Sequence, residues 1–332
     1  MFEPGYVALF RSGELARRAG LLETRLQRCD ICPRRCFVNR LDGQKGFCQS
    51  GALPVVSSFC AHHGEEPVLS GTRGSGTIFF GNCNMRCVFC QNHQISQDPV
   101  RQQVNEVSFR VLADDMLQLQ DLGCHNINLV SPSHFVPHIV RALVEAVPMG
   151  LHLPLVYNTG SFDSLQTIEL LDGIVDIYLP DIKYASNRWA MRYSMAPGYV
   201  GFARPAIKEM YRQVGDLRVD GDGVAEKGVI VRHLVLPGGL SGSEDSLTWL
   251  VRDVSPTITV GIMAQYFPAH KAAQIPELSR TVTSAEYSAV VDAVNRLGLE
   301  NGWLQDMAAE RNYRPDFGAE GHPYEQPAAG PE

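Results

Sequence analysis

Seven of the nine cysteines fall into two tight clusters, and thiols at such spacing are ligands for soft metals. The first cluster is a quartet, Cys29, Cys32, Cys36 and Cys48, and the second is a triplet, Cys83, Cys87 and Cys90. In a reducing compartment such clusters are far more often metal sites than disulfides. The sequence therefore predicts two metal centres. The two remaining cysteines, Cys60 and Cys124, are expected to be small buried apolar residues.

The triplet has the spacing C-x3-C-x2-C and lies directly after a β-rich run at 77–80. A loop of this kind can wrap three thiolates around one iron–sulfur cluster and leave one iron without a protein ligand. Zinc is the less favoured alternative, because a zinc site would need a fourth ligand, for which His93 is the candidate.

The quartet supplies four soft ligands over twenty residues. Gly43 and Gly46 let the chain bend back toward the metal, and Arg34 and Arg35 lie between the ligands, where they could shield a centre of net negative charge. A tetrathiolate suits structural zinc as well as an iron–sulfur cluster, so both alternatives stay open for this second metal site.

Between residues 76 and 298, short β-rich runs alternate with segments of helical period. The runs lie at 77–80, 127–130, 155–157, 175–179, 229–236 and 258–264. This alternation predicts parallel βα units and an α/β fold, a partial (β/α)6 TIM-like barrel. We expect three parts: an N-terminal cysteine-rich metal-binding segment (1–75), the barrel (76–298) and a C-terminal extension (299–332) whose residues 315–332 are mobile or draped as coil.

One inter-strand helix can be placed closely from the sequence. Apolar residues recur at helical spacing after Ser108, which is the expected N-cap, and Gly123 follows as the residue just past the end. Polar or glycine-containing turns end the strands, and in βα barrels the catalytic groups project from such C-terminal strand ends.

The triplet loop, with the aromatic Phe89 before its last cysteine, resembles the signature of the radical S-adenosylmethionine (radical SAM) superfamily. Four further phrases are similar to an uncharacterised branch near the pyruvate formate-lyase activating enzymes; they lie at 63–67, 74–80, 179–183 and 263–266. The resemblance covers most of the chain.

This resemblance implies a 4Fe–4S cluster on the triplet, with SAM chelated to its open iron. Reductive cleavage of SAM would give methionine and a 5′-deoxyadenosyl radical, with the electron coming from an external donor of flavodoxin or ferredoxin type. It also implies that Lys183 holds SAM beside Asp181 and that His270 contacts the nucleoside. Further SAM contacts are expected at Asn158, Ser131 and Ser133.

The leading specific expectation for the substrate is activation of a glycyl-radical protein, by hydrogen abstraction. The alternative is radical modification of a small molecule or peptide. A different class stays open too, a noncatalytic iron–sulfur or zinc binding protein. The quartet lies upstream of the triplet, whereas activating enzymes with added ferredoxin-like clusters carry those cysteines downstream.

Composition sets outer limits on function. The chain has 332 residues, a net charge of −7 and 45% hydrophobic residues, which excludes collagen-like and wholly disordered chains and a dedicated duplex-DNA binder. No apolar run approaches the roughly 18 residues that span a bilayer. We expect a cytoplasmic protein with no nucleic-acid or membrane partner.

The polar residues His62, His63, Glu65 and Glu66 are expected to form a hydrogen-bonded joint, and Arg232 could face either side of its strand.

Overall fold

The computed structural model describes residues 2–307 together with Pro315, Phe317 and Pro323. The strands in this part of the chain are β1 (Val56–His62), β2 (Ser75–Phe80), β3 (Ile127–Val130), β4 (Leu155–Thr159), β5 (Ile177–Pro180), β6 (Arg218–Val219), β7 (Ala225–Leu234), β8 (Thr259–Met263) and β9 (Gly302–Leu304). The expectation for 315–332 falls outside the described residues, apart from the three named.

The main sheet has the strand order β1-β2-β3-β4-β5-β7-β8-β9. Neighbours from β2 to β9 are parallel, β1 is antiparallel to β2 at one edge, and β6 pairs antiparallel with β7 off this path. The predicted α/β class with a largely parallel sheet is therefore confirmed. All six predicted strands are present, β3 with the predicted bounds.

The other predicted bounds were shifted by one to four residues at an end. The start of β5 shows why: Val175 is buried and apolar, but its N–H bonds to the carbonyl of Leu171 in a turn, so the strand begins at Ile177. An apolar run marks burial, whereas the strand itself is defined by its ladder of hydrogen bonds.

The edge strand β1 was not predicted. Its residues are half-buried except at its end, and Ser57 and Ser58 interrupt the apolar pattern. Cys60 lies on this strand and is half-buried, which corrects the expectation that it is buried. Cys124 is buried, as expected.

The helices of the described residues are α1 (Gly5–Arg11), α2 (Glu14–Thr24), α3 (Pro67–Ser70), α4 (His93–Ser96), α5 (Phe109–Asp121), α6 (Val136–Ala146), α7 (Leu165–Glu169), α8 (Asn187–Ser194), α9 (Tyr199–Val214), α10 (Ser243–Asp253) and α11 (Ser284–Arg296). Helix α5 is the one placed from the sequence. The Ser108 side chain accepts a hydrogen bond from the N–H of Val111, and Gly123 has φ +84° past the end. Both terminal predictions are confirmed.

The N-terminal segment is fastened to the sheet region by distant contacts. The N–H of Gly5 donates to Asp176 Oδ1 at 3.0 Å, and the hydroxyl of Tyr6 donates to the carbonyl of Leu153 at 2.7 Å. Leu15 and Leu22 of α2 belong to the same hydrophobic core as the sheet. In the described residues, no helix is both long enough and apolar enough to cross a membrane.

Candidate metal centre and cofactor cavity

A cavity of about 420 Å³ opens where the parallel strands end. Its walls come from the loops after β2, β3, β4, β5 and β8, because the carboxyl ends of parallel strands meet at one edge of a sheet. Its volume lies in the range of roughly 300–1,000 Å³ typical of small-molecule and cofactor sites.

All three cysteines of the triplet line this cavity. Their loop leaves β2 through Gly81 and Asn82, and Asn82 has φ +64° and donates its N–H to the carbonyl of Ile95 at 2.8 Å. Cys83 Sγ accepts the N–H of Met85 at 3.4 Å. Such N–H to sulfur contacts are one of the features by which a protein tunes an iron–sulfur cluster.

Hydroxyl groups flank the other two thiols. Cys87 Sγ lies 3.0 Å from Ser194 Oγ, and Cys90 Sγ lies 3.2 Å from Ser96 Oγ. Burial raises the pKa of Cys83 to about 11 and that of Cys90 to about 12, and it raises the pKa of Cys87 as well. Burial therefore favours the neutral thiols, and binding of a metal requires that they lose their protons.

Lys183 and Asp181 line the same cavity as the triplet. Lys183 Nζ lies 2.5 Å from Asp181 Oδ2, and both side chains are largely buried. A Cβ on Gly160 would lie 3.2 Å from both Lys183 Cε and Met85 Sδ, so the glycine lets the lysine chain lie close to the triplet loop. The predicted Lys183 is thus a cavity residue rather than a solvated turn lysine.

Arg232 faces the cavity and organises its polar wall. Its Nε donates to Asp181 Oδ1 at 2.9 Å, its Nη1 to Glu65 Oε2 at 3.2 Å, and its Nη2 to Asn158 Oδ1. Burial opposes ionisation of Asp181, but the charges of Arg232 and Lys183 hold its pKa below the ordinary value. Asp181, Lys183 and Arg232 therefore form a charged triad.

Glu65 and Glu66 also line the cavity. The sequence analysis expected this segment to form a hydrogen-bonded joint and did not expect it at the cavity. Glu65 Oε1 accepts from Asn128 Nδ2 at 3.0 Å. Asn128 on β3 pairs with Thr77 on β2. Thr77 lies three residues before the end of β2, so at roughly 3.3 Å per residue this pair is about 10 Å from the start of the triplet loop. Burial raises the pKa of Glu66 to about 7. The two carboxyl groups thus belong to the deep part of the cavity.

Ser131, Ser133 and Asn158 line the same cavity as the triplet and Lys183. Ser131 has φ +59°, and Ser133 Oγ lies 3.1 Å from Thr159 Oγ1, which itself donates to Asp163. His270 is not among the cavity-lining residues. Its ring instead stacks on His93, with centroids 4.8 Å apart.

The sequence alone did not predict that Arg232 points into the cavity or that Glu65 and Glu66 line it. A signal for Arg232 existed: it is a charged residue within the apolar run 229–236 and shares a strand face with Leu234, which also lines the cavity. The glutamates precede β2 by about ten residues, and nothing in the local sequence indicates that they turn into the cavity.

The quartet surrounds a separate small cavity of about 10 Å³, together with Arg40 and His134. Cys29, Cys32 and Cys48 are buried and Cys36 is half-buried. A Cβ on Gly46 would lie 2.7 Å from Cys36 Sγ, so glycine is needed where this chain crosses the thiol. Within 2–307, no three His, Cys, Asp or Glu side chains converge as they would around a single metal ion.

Comparisons with known proteins give relatives without an assigned activity. No family model matches the chain. The uncharacterised protein MJ0674 of Methanocaldococcus jannaschii is 29% identical over 276 residues, which are 82% of this chain and 75% of that protein. The uncharacterised protein MJ0808 of the same organism is 35% identical over 85 residues, 22% of this chain and 25% of its own length.

Among solved structures, the chain is similar to HydG, a maturase of the FeFe-hydrogenase. The TM-score is 0.46 at 10% identity, over 70% of this chain and 52% of HydG. The chain thus spans about half the length of that maturase, and a likeness at this level carries no argument about activity.

Proposed function

We propose that this protein is a radical SAM enzyme whose parallel sheet curves as a partial (β/α)6 barrel. The observation that carries the proposal is the position of the triplet: three thiols of a C-x3-C-x2-C loop line a cavity of about 420 Å³ together with the Asp181, Lys183 and Arg232 triad. A three-cysteine set suits a four-iron cluster with one open iron. The donor chemistry and the space beside it fit a 4Fe–4S cluster and SAM.

A reduced 4Fe–4S cluster with bound SAM supplies a 5′-deoxyadenosyl radical that abstracts hydrogen. The chain's own residues bind and orient the cofactor. Lys183 places a cationic Nζ where it can receive the carboxylate of SAM, and it is held there by Asp181. Asn158, Ser131 and Ser133 offer amide and hydroxyl groups from neighbouring strand ends.

Arg232 stabilises this arrangement, because its one guanidinium group donates hydrogen bonds to Asp181, Glu65 and Asn158. Burial of the triad excludes water and strengthens its electrostatic interactions. We also propose that His270 contacts the nucleoside. Its ring stacks on His93, and the residue comes five positions after Gln265, which lines the cavity.

For the substrate, we propose hydrogen abstraction from a glycyl-radical protein, with a small molecule or peptide as the alternative. The depth of the cavity, which continues to Glu65 and Glu66, leaves room for a substrate group below SAM. The electron would come from an external flavodoxin or ferredoxin type donor, and we propose a cytoplasmic location.

Reductive cleavage of SAM tests the proposal. Anaerobically reconstituted protein, reduced with dithionite, should convert SAM to 5′-deoxyadenosine and methionine, measured by chromatography. The Cys83→Ala, Cys87→Ala, Cys90→Ala variant should not, whereas Cys60→Ser, which removes a cysteine outside both sets, should retain cleavage. Intact SAM in the presence of a reduced triplet cluster would refute the proposal.

The substrate proposal has its own test. Reduced enzyme and SAM are incubated with each glycyl-radical protein of the host, and EPR spectra are recorded. A persistent doublet that collapses in deuterated water supports glycyl-radical activation. Absence of the doublet with every such protein favours the small-molecule or peptide alternative.

A further inference from the structure

One carboxyl group in the deep part of the cavity has no counter-charge. The lysine, arginine, aspartate and glutamate side chains that line the cavity are Lys183, Arg232, Asp181, Glu65 and Glu66. Asp181 pairs with both cations, and Glu65 pairs with Arg232. Among the described residues Glu66 forms no ion pair, and its Oε2 is buried without a hydrogen-bond partner. Glu66 is therefore a surplus carboxyl group in this cavity.

The sheet places this carboxyl group between two large side chains. Arg232 on β7 pairs in register with Gly261 on β8, and Gly261 pairs with Trp303 on β9. Side chains at paired positions point to the same face of a sheet, so Arg232 and Trp303 flank the position where Gly261 has none. A Cβ on Gly261 would lie 3.4 Å from Glu66 Oε1. The Glu66 carboxyl group thus lies over Gly261, in the row between the arginine and the tryptophan.

Arg232 makes its hydrogen bonds away from Glu66. Its three guanidinium nitrogens donate to Asp181, Glu65 and Asn158. Burial raises the pKa of Glu66 to about 7; the charge of Arg232 opposes this rise, and the charges of Glu65 and Asp181 add to it. A buried carboxylate without a partner is costly, so a cationic ligand group beside Glu66 would be stabilised by an ion pair that the described residues do not supply.

The chemistry around Glu66 favours an ammonium group as that ligand. An ammonium group carries one positive charge and three N–H donors, which suits a single surplus carboxyl group. Trp303 adds an aromatic ring beside the carboxyl group, and cations bind favourably over such rings. A hydroxyl or amide could donate a hydrogen bond to Glu66, but its charge would then have to be neutralised by a proton.

We propose that Glu66 and Trp303 form a subsite for a primary ammonium group of the substrate, separate from the SAM contacts at Lys183. The assignment of this group to a substrate rests on the proposed function, whereas its binding at Glu66 does not. The ammonium group belongs either to a free alkylamine or to the side chain of a lysyl residue in a peptide, because both present the same alkylammonium end.

Binding of n-butylamine to the full chain tests the subsite, with 1-butanol as an uncharged probe of similar size. Anaerobically reconstituted protein is titrated with each probe at neutral pH, and binding is followed by ligand-observed NMR. We expect n-butylamine to bind at least about tenfold more tightly than 1-butanol, as for a hydrogen bond to a charged group. Equal affinities of the two probes would overturn the proposal.

Glu66→Gln keeps the size of the side chain and removes its charge. Because Glu66 has no ion-pair partner to lose, this variant should fold as the parent does, and its affinity for n-butylamine should fall at least about tenfold. Glu169→Gln, at the exposed end of α7, is the matched control and should bind n-butylamine as the parent does. Unchanged affinity in Glu66→Gln would refute the subsite.

Trp303→Leu tests the aromatic side of the subsite by the same titration. Loss of the ring should weaken n-butylamine binding at least about twofold, whereas Trp303→Phe, which keeps an aromatic face, should lose less. Equal affinities in the parent and in Trp303→Leu would exclude Trp303 from the subsite.

A further titration separates the subsite from the proposed function. The Cys83→Ala, Cys87→Ala, Cys90→Ala variant lacks the proposed SAM-cleaving centre but should bind n-butylamine as the parent does, because the subsite contains none of these cysteines. Intact SAM together with amine binding would refute the proposed function and leave the subsite standing. Cleavage of SAM without amine binding would refute the subsite alone.

Competition and a third probe complete the test. Saturating SAM should leave n-butylamine bound to the reconstituted protein, and displacement would place the ammonium group in the SAM site and overturn a separate subsite. Nα-acetyl-lysine amide distinguishes the two sources of the ammonium group. Tighter binding than that of n-butylamine supports a lysyl residue as the ligand, and weaker binding supports a free alkylamine.

Discussion

Arg34 of the quartet loop donates from Nε to the backbone carbonyl of Asn84 in the triplet loop, at 2.8 Å. A reciprocal bond runs from Arg86 Nη2 to the carbonyl of Phe47, at 2.9 Å. The guanidinium carbons of Arg34 and Arg86 lie 3.5 Å and 4.8 Å from the centroid of the Phe47 ring. The two cysteine loops are therefore joined through one layer of side chains.

Because of this junction, changes in the quartet loop should be felt at the triplet. Arg34→Met is expected to reduce the iron bound at the triplet at least twofold after reconstitution, since the Asn84 carbonyl loses the donor that holds it. Measurement in a Cys29→Ser, Cys48→Ser background counts triplet iron alone. The exposed Arg101→Met is the control, and equal iron in both variants would show that the loops are independent.

Arg232 is expected to be essential for stability as well as for the site. Arg232→Met leaves Glu65 without its cationic partner and leaves Asp181 with Lys183 alone, so the free energy of unfolding should fall by about 3–5 kcal/mol, measured by urea denaturation. The double variant Arg232→Met, Glu65→Gln should lose less, because the carboxylate that had lost its cation is then neutral. A double variant less stable than the single one would refute the charge argument.

Lys183→Met should weaken SAM binding while the triplet cluster remains. Loss of a charged hydrogen bond of about 1.5–3 kcal/mol corresponds to a roughly ten- to hundredfold lower affinity. Equilibrium binding of SAM to the reconstituted protein measures it. Lys208→Met, on the exposed side of α9, is the matched control. Equal affinities in the two variants would exclude Lys183 from the SAM site.

His270→Ala in the same binding assay is expected to weaken SAM binding less than Lys183→Met does. The ring stacks on His93 and is not among the cavity-lining residues, so a contact of His270 with a nucleoside would lie at the edge of the site. A larger loss of affinity than in Lys183→Met would contradict this ranking.

Stability should fall as the solution becomes acidic, partly through His233. Burial lowers the pKa of His233 to about 4, while the unfolded chain takes up this proton near pH 6.5. Its contribution to stability is therefore full above pH 6.5 and is lost toward pH 4, by up to about 1.4 kcal/mol per pH unit. His233→Leu should flatten the pH dependence of urea unfolding by that slope, and an unchanged slope would contradict the assignment.

Gly46→Ala should prevent metal binding at the quartet. The added Cβ would lie 2.7 Å from Cys36 Sγ, so the thiol must move away from its partners. In the Cys83→Ala, Cys87→Ala, Cys90→Ala background the total metal content should drop at least threefold. Gly20→Ala is the control, because nothing lies within 4 Å of the added Cβ in α2, and its metal content should equal that of the parent. Full occupancy in Gly46→Ala would show that this crossing tolerates a side chain.

The sequence predicts the central part of the fold because buried parallel strands contain continuous apolar runs, as at Val229, Ile230 and Val231 in β7. It does not predict β1, whose half-buried face carries serines, or β9, which is three residues long. Short and half-exposed edge strands are defined by their neighbours, and a local pattern does not record those neighbours.

The site is predictable where it follows a strand end, and this is why Ser131, Asn158 and Lys183 share one cavity with the triplet. Glu65 and Arg232 meet across 167 residues of sequence, so their contact depends on where the sheet places β7 relative to the segment before β2. His270 was expected at the site because it follows a strand, but it does not line the cavity. Its backbone has φ +51°, and its ring stacks on His93.

The bond between Gly5 and Asp176 has a consequence for synthesis on the ribosome. Its two partners are 171 residues apart, so the first helix cannot complete its contacts until half of the chain has been made. Until then the cysteines of the quartet, which follow that helix, are in a chain that has not yet docked. The folded surroundings of the quartet, which include His134, are therefore completed only after much of the sheet has been made.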